Sequence, residues 1–87
     1  MNRFFFNTQD GEAVSDVEGV ELPDIARAKV EAVKLMGELL TEHAEEFWRT
    51  RNFTISVSDE GGATLFTVMT AAASMPMRHP DSGSRAK

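Results

Sequence analysis

Residues 53–62 read FTISVSDEGG, and this stretch decides the fold. Apolar side chains at positions 53, 55 and 57 alternate strictly with hydroxyl side chains at 54, 56 and 58. Such alternation is typical of a β-strand with one buried and one open face. The residues that follow, DEGG at 59–62, predict a hairpin turn, so residues 64–70 return as a second strand.

A second hairpin is predicted at the start of the chain. Residues 3–8 read RFFFNT, an aromatic and extended run, and Asp10-Gly11 supplies a turn in which glycine accepts a positive φ. Residues 13–16 would return as a short edge strand with few apolar side chains. Glu18-Gly19 then marks another turn.

Between the hairpins, residues 25–46 have the periodicity of an amphipathic helix. Asp24 directly precedes them and predicts an N-cap, because its carboxylate can accept the free N–H groups of the first turn. One straight helix over this range would be roughly 33 Å long at 1.5 Å per residue. A six-residue strand reaches only about 20 Å, so we expect the helix to overhang the sheet or to fray after Leu40. Its apolar residues recur at helical spacing: Ile25, Ala28, Ala32, Leu35, Met36, Leu39 and Leu40.

The predicted element order is therefore ββαββ, which favours an α+β fold. We expect a four-stranded, mainly antiparallel sheet with one long helix packed across one face. A right-handed crossover gives the strand order 2-1-3-4, with the first and third strands central. Residues 1–73 would form this single domain, and residues 74–87, which contain two prolines, would form a disordered C-terminal tail.

Composition excludes several classes of function. The 87-residue chain has a net charge of -5, and an acidic surface repels phosphate backbones, so we expect no nucleic-acid partner. It has no cysteine, which removes disulfides, thiolate metal sites and cysteine nucleophiles. No apolar window is long enough for a signal peptide or a membrane helix, so we predict a cytoplasmic protein without a membrane partner.

The sequence offers no recognisable catalytic apparatus. The two histidines are His43, on the predicted helix, and His79, in the predicted tail. Nucleophilic catalysis needs a nucleophile beside an oriented base, and no such pair is visible. We therefore predict a non-enzymatic protein without a cofactor or a metal. An enzyme that uses His43 and nearby glutamates is the weakest of the alternatives.

Acidic residues are concentrated around the first turns. Six of them occur within fifteen residues without one basic residue: Asp10, Glu12, Asp16, Glu18, Glu21 and Asp24. Oxygen ligands around turns suit Ca²⁺ or Mg²⁺, which makes a divalent-cation or small-ligand site the alternative function. The simpler interpretation is that these carboxylates form turns, cap the helix and solvate an edge strand.

The second face of the sheet is the most informative feature. One helix covers one face only, and the first and last strands are apolar on both sides. If Phe4, Phe6, Phe66 and Val68 face the helix, then Phe5, Leu65 and Met69 point away from it. Exposed apolar side chains often mark interaction sites. We predict that this open face, or the adjacent edge strand, binds a protein partner, most simply a second copy of the chain. Scattered single residues, or a cover formed by residues 71–77, are the alternatives.

Several of these segments together resemble a known family. The opening RFFF at 3–6, the Asp10-Gly11 turn, and the motif DxEGxELPD at 16–24 before an alanine-rich helix are similar to the bacterial domain-of-unknown-function 6894 family. The strand at 53–57 and the DEGG turn continue the resemblance, which covers roughly residues 1–70. It implies a small bacterial cytoplasmic domain and carries no assigned activity.

Overall fold

The computed structural model describes residues 1–76. Residues 77–87, which include His79 and most of the predicted tail, lie outside the described part. Within residues 1–76, no helix is both long enough and apolar enough to cross a lipid bilayer. The elements are β1 (Asn2–Gln9), β2 (Ala13–Val14), β3 (Val20–Leu22), α1 (Ile25–Glu42), α2 (Ala44–Thr50), β4 (Asn52–Ser58) and β5 (Thr64–Ala71).

The sheet is antiparallel, with the order β2-β1-β4-β5. This confirms the predicted α+β fold. It also confirms the predicted strand order 2-1-3-4, because the third and fourth predicted strands are the observed β4 and β5. β4 is central because its alternating sequence gives it one fully buried face: Phe53, Ile55 and Val57 are each 0% exposed. The hydroxyl residues of β4 occupy the opposite face, as the alternation predicts.

The pairing beside β1 differs from the prediction. The return strand is only Ala13–Val14, shorter than the predicted 13–16, and a further strand, β3, pairs antiparallel with the start of β1. Val20 lies opposite Phe4, and Leu22 lies opposite Asn2. Three residues are too few to show an alternating pattern, so the sequence alone gave no sign of β3. The two short strands pair with opposite ends of β1.

The helix predicted over residues 25–46 is interrupted soon after Leu40, where overhang or fraying is expected from the sequence. α1 ends at Glu42, His43 leaves the helical region with φ -123° and ψ 42°, and α2 begins at Ala44. The break keeps the helical segment on the sheet, because it allows Phe47 to reach the core. The Phe47 ring packs edge-to-face on Phe53, with centroids 5.0 Å apart.

The core lies between α1 and one face of the sheet. Ala28 and Ala32 are fully buried on α1, and their small side chains allow the helix to approach β4 closely. Phe4 is buried on β1, and the other residues predicted to face inward pack against the same cluster: Phe6, Phe66 and Val68. The structure therefore decides which apolar set faces the helix. The opposite face of the sheet has no helix over it in residues 1–76.

Candidate functional site

Asp16 occupies a gap in the sheet. β2 pairs with residues 8–9 of β1 and β3 pairs with residues 2–4, which leaves the middle of β1 without a strand on that edge. Asp16 Oδ2 accepts the main-chain N–H of Phe6 at 3.1 Å, in the place of a strand partner. Its other oxygen accepts the N–H groups of Glu18 and Gly19, at 3.1 and 3.0 Å. The carboxylate therefore holds the loop between the two short strands against β1.

Asn7 connects this loop to the open face. The main-chain N–H of Asp16 donates to Asn7 Oδ1 at 2.9 Å. Asn7 Nδ2 in turn donates to the carbonyl of Ser56 and the hydroxyl of Ser58, both at 3.3 Å. One amide side chain thus bridges the loop, β1 and β4, so the polar residues here have a structural role.

The ionisation of Asp16 reflects these contacts. Partial burial raises its pKa, whereas the three main-chain hydrogen bonds lower it. The charge of Arg3 lowers it further, and the net result is a pKa below the usual 3.8. Asp16 is therefore charged at neutral pH and is an acceptor, not a proton donor.

Gly19 brings the loop against the side chains of β1. Its φ is +74°, and a Cβ at this position would lie 2.9 Å from both Arg3 Cγ and Phe5 Cε2. Arg3 adds two contacts: Nη1 donates to the carbonyl of Glu18 at 2.7 Å, and Nη2 pairs with Glu21 Oε2 at 3.0 Å. The loop therefore lies against Phe5, which is only partly exposed.

The six acidic residues do not converge. Asp24 caps α1 by accepting the N–H of Arg27 at 2.9 Å, while Asp16 and Glu21 are held by the contacts just described. Asp10 and Glu12 flank the turn between β1 and β2. Across residues 1–76, no group of three or more histidine and acidic side chains is arranged to hold a metal ion. Asp24 caps the helix and Asp16 accepts the amides of a turn, two roles that the sequence suggests, whereas Glu21 pairs with Arg3.

The three predicted interaction residues lie apart on the open face. Phe5 is opposite Ser58 on the neighbouring strand, and Ser58 pairs in turn with β5 close to Leu65. Met69 lies further along β5, beyond Thr67, and is 72% exposed. Hydroxyl side chains therefore separate the apolar ones. The described residues 72–76 do not cover Met69, and Met75 among them is 79% exposed.

The free edge of β5 presents main-chain groups. Ala72 donates its N–H to the carbonyl of Arg51 at 3.0 Å, which fixes the alternation of hydrogen bonds between β4 and β5. Residues 66, 68 and 70 of β5 therefore bond to β4. Thr67, Met69 and Ala71 direct their N–H and C=O groups away from the sheet. Nothing within residues 1–76 pairs with these groups.

Two further side chains stand out on the helical segments. His43 is exposed at the junction of α1 and α2, with no nucleophile bonded to it among the described residues. Trp48 is 53% exposed, and the Arg51 guanidinium lies over its ring at 5.9 Å. Arg51 also donates from Nε to the Trp48 carbonyl at 3.0 Å, so the pair forms an ordered end of α2.

Comparison with known protein families assigns the chain to one of them. The family model described as "Domain of unknown function (DUF6894)" matches residues 3–72. The chain belongs to the DUF6894 family. The match confirms the resemblance drawn from the RFFF, DxEGxELPD and DEGG segments, and it spans every helix and strand of the DUF6894 domain except Asn2, at the start of β1. No curated protein and no solved structure matches the chain.

The structure gives the DUF6894 domain's most specific motif a physical meaning. Within DxEGxELPD, the first aspartate fills the gap beside β1, the glycine allows close approach to Phe5, and the last aspartate caps α1. The motif therefore builds the β1 side of the sheet. The free edge of β5 carries no comparable sequence signature, and only its uncharged composition distinguishes it.

Proposed function

We propose that this DUF6894 domain is a non-enzymatic protein-interaction module that binds its partner by adding a strand to β5. The observation that carries the proposal is the free edge at Thr67, Met69 and Ala71. Unpaired main-chain groups on an edge strand form a ready template for an extended segment of another chain. Strand addition derives its affinity from main-chain hydrogen bonds, so it needs no large apolar patch.

The edge is favoured over the open face for a geometric reason. A face-on interface would depend on Phe5, Leu65 and Met69, but these residues are separated by hydroxyl side chains. Phe5 is also occupied by the loop at Gly19. Phe5→Glu distinguishes the two surfaces, because it alters the open face and leaves the β5 edge intact.

Natural edge strands are commonly protected against pairing. Lysine, proline, pronounced bulges and short length are the usual devices. β5 has eight residues, TLFTVMTA, with neither charge nor proline, and its one irregularity lies at the end near Ser58. The opposite edge, by contrast, is occupied by β2, β3 and Asp16. The asymmetry supports β5 as the surface that remains available to a partner.

The test removes one edge N–H without touching the pairing with β4. Met69→Pro does this, because the Met69 N–H faces away from β4 and edge strands accept proline at such positions. Tagged wild-type chain and Met69→Pro are used to capture proteins from cells, and each candidate is then purified and titrated against both. The proposal expects a partner whose affinity falls at least about tenfold in the variant. Purified partners that bind both forms equally would overturn it.

The other functional alternatives have less support. The acids from Asp10 to Asp24 do not form a shared site in residues 1–76, so no geometry favours the cation-binding alternative. A non-enzymatic role and a cytoplasmic location stay predictions from the sequence. Calcium titration followed by chemical shifts at Asp10 and Glu12 is the direct check on the alternative function.

A further inference from the structure

We propose that the occupant of the β5 edge is a second copy of this chain, with β5 pairing antiparallel to β5 across a two-fold axis. The inference rests on the proposed function, since it uses the same edge, and it names the partner. An isologous contact of this kind uses one surface twice, so the surface has to be self-complementary. Main-chain hydrogen bonding, side-chain placement and charge each meet this condition.

The hydrogen-bonding pattern of the edge is compatible with its own copy. Thr67, Met69 and Ala71 present N–H and C=O groups together, at every second residue. In an antiparallel pair, two residues whose N–H and C=O groups point toward the other strand exchange both hydrogen bonds. Thr67, Met69 and Ala71 of one copy therefore lie opposite odd-numbered residues of the other copy. One register that overlaps nearly the whole strand places Thr67 opposite Met69 of the second copy. The two sheets then become one continuous antiparallel sheet.

The side chains of β5 are suited to this arrangement. A two-fold axis perpendicular to the sheet keeps both α1 helices on the same face. Phe66 and Val68 are only partly buried on that face, and each would gain cover from its copy. Met69 is 72% exposed on the other face, where it would lie beside the second β5. No residue of β5 is charged, so no like charges meet along the strand.

The helix adds a less charged flank on the same side of the molecule. Glu31, Lys34 and Glu38 line a groove with β1 and β3 residues, which places the charged flank of α1 on the β1 side. The opposite flank, toward β5, carries Ile25, Lys29 and Val33 at helical spacing. Ile25 and Val33 are 42% and 61% exposed. The β5 side is thus less charged than the β1 side, both in the sheet and on α1.

Charge also selects the antiparallel orientation. The chain has a net charge of -5, so two copies repel each other unless their acidic regions are kept apart. The acidic turn with Asp59 and Glu60 lies at the start of β5, while Arg51 lies beside its end through the Ala72 hydrogen bond. Antiparallel pairing brings each acidic turn to the arginine end of the other copy. Parallel pairing would place the two acidic turns together.

The first measurement is molar mass by light scattering over a dilution series of the full chain. One strand pair forms an interface at the small end of the range for specific complexes, so we expect a weak dimer that dissociates within the dilution series. Met69→Pro should weaken the dimer at least about tenfold, because each copy loses an interface N–H. Met69→Ala keeps the N–H and should retain the dimer.

The matched control is a proline on the other edge of the sheet. Ala13 also directs its N–H away from its partner strand, because Thr8 and Val14 form the bonded pair there. Ala13→Pro should leave the dissociation constant unchanged. Equal weakening by Ala13→Pro and Met69→Pro would overturn the assignment to β5. Chemical shifts of Phe53, Ile55 and Val57 verify that each variant keeps the core.

Amide exchange separates this inference from the proposed function. In a β5–β5 dimer, the amides of Thr67, Met69 and Ala71 become protected as protein concentration rises. A chain that stays monomeric throughout overturns the second copy as occupant. If Met69→Pro then still abolishes binding of a purified heterologous partner, the proposed function holds without the dimer. If no partner depends on that edge, both fail.

The orientation has its own test. Glu60→Lys reverses a charge that would face the arginine end of the second copy, so it should weaken the dimer by severalfold at low salt. Glu12→Lys makes the same change in net charge beside β2, away from the interface, and should not weaken it. Stronger association of Glu60→Lys would overturn the antiparallel orientation.

Discussion

The carboxylate of Asp16 and the main-chain N–H of Phe6 lie 3.1 Å apart, so a side chain completes the edge of β1 where the chain provides no strand. The same carboxylate also binds the amides of Glu18 and Gly19. This arrangement explains why two very short strands, β2 and β3, can both stay paired with β1. It also leaves β5 as the edge without such a cover among the described residues.

Replacing Asp16 should destabilise the domain. Asp16→Ala leaves the N–H groups of Phe6, Glu18 and Gly19 without their acceptor, and we expect a loss of about 1–3 kcal/mol in the free energy of unfolding. Urea denaturation of the variant and the wild type measures it. Glu12→Gln is the control, because it changes an exposed carboxylate nearby and should cost less than about 0.5 kcal/mol. Equal losses in the two variants would contradict the role given to Asp16.

The contribution of Asp16 should depend on pH in one direction. Its folded-state pKa is below 3.8, so the unfolded state binds its proton first as the pH falls. The stabilisation is therefore fully present above the unfolded pKa and is lost as the pH falls through the lowered folded pKa. The stability difference between wild type and Asp16→Asn should be constant from pH 7 to about 5 and should shrink below about 4. A difference that grows on acidification would show that the sign is wrong.

Gly19 should tolerate substitution less well than another glycine with positive φ. Gly19→Ala meets both an unfavourable φ of +74° and the side chains of Arg3 and Phe5 at 2.9 Å. We expect a loss of more than about 2 kcal/mol. Gly62→Ala is the matched control, since its φ is +88° but no atom lies within 4 Å of the added Cβ. Gly62→Ala should lose only the free energy of the backbone strain, about 1–2 kcal/mol. Indistinguishable melting curves for the two variants would exclude a steric role of Gly19.

Gly37 should behave in the opposite way. It lies inside α1, is exposed, and has nothing within 4 Å of an added Cβ. Gly37→Ala removes conformational freedom from the unfolded chain and keeps the helix, so it should raise the free energy of unfolding by about 0.5–1 kcal/mol. Thermal denaturation gives the sign directly. A lowered melting temperature would contradict the open surroundings of Gly37.

Local patterns predicted the longer elements correctly. The alternation in FTISVS gave β4 and its buried face, and the DEGG turn gave the hairpin to β5. The apolar spacing after Asp24 gave α1 and its N-cap. Each of these features is set by residues close together in sequence, so the local pattern of side chains is enough to predict it.

Features that depend on contacts between distant residues were not predictable. β3 is defined by its pairing with β1, and the segment after the break at His43 is held by the contact of Phe47 with Phe53. In the sequence, turn and cap roles are the simpler interpretation of the acidic residues and a cation site is the alternative. The partners of Asp16 and Asp24 are visible only in the structure. The sequence predicts an edge strand as one of two interaction surfaces but does not indicate which edge.

The sequence by itself determined the fold class, the strand order, the inward face of β4 and the family, because periodicity and turn residues act over a few positions. Only the tertiary structure decided that Phe4 and Phe6 face the helix while Phe5 lies under the loop at Gly19. It also decided that, among residues 1–76, no segment pairs with the outer edge of β5. Strand register and edge exposure follow from which segments meet across the sheet, and hydrogen bonds between distant backbones fix that pairing.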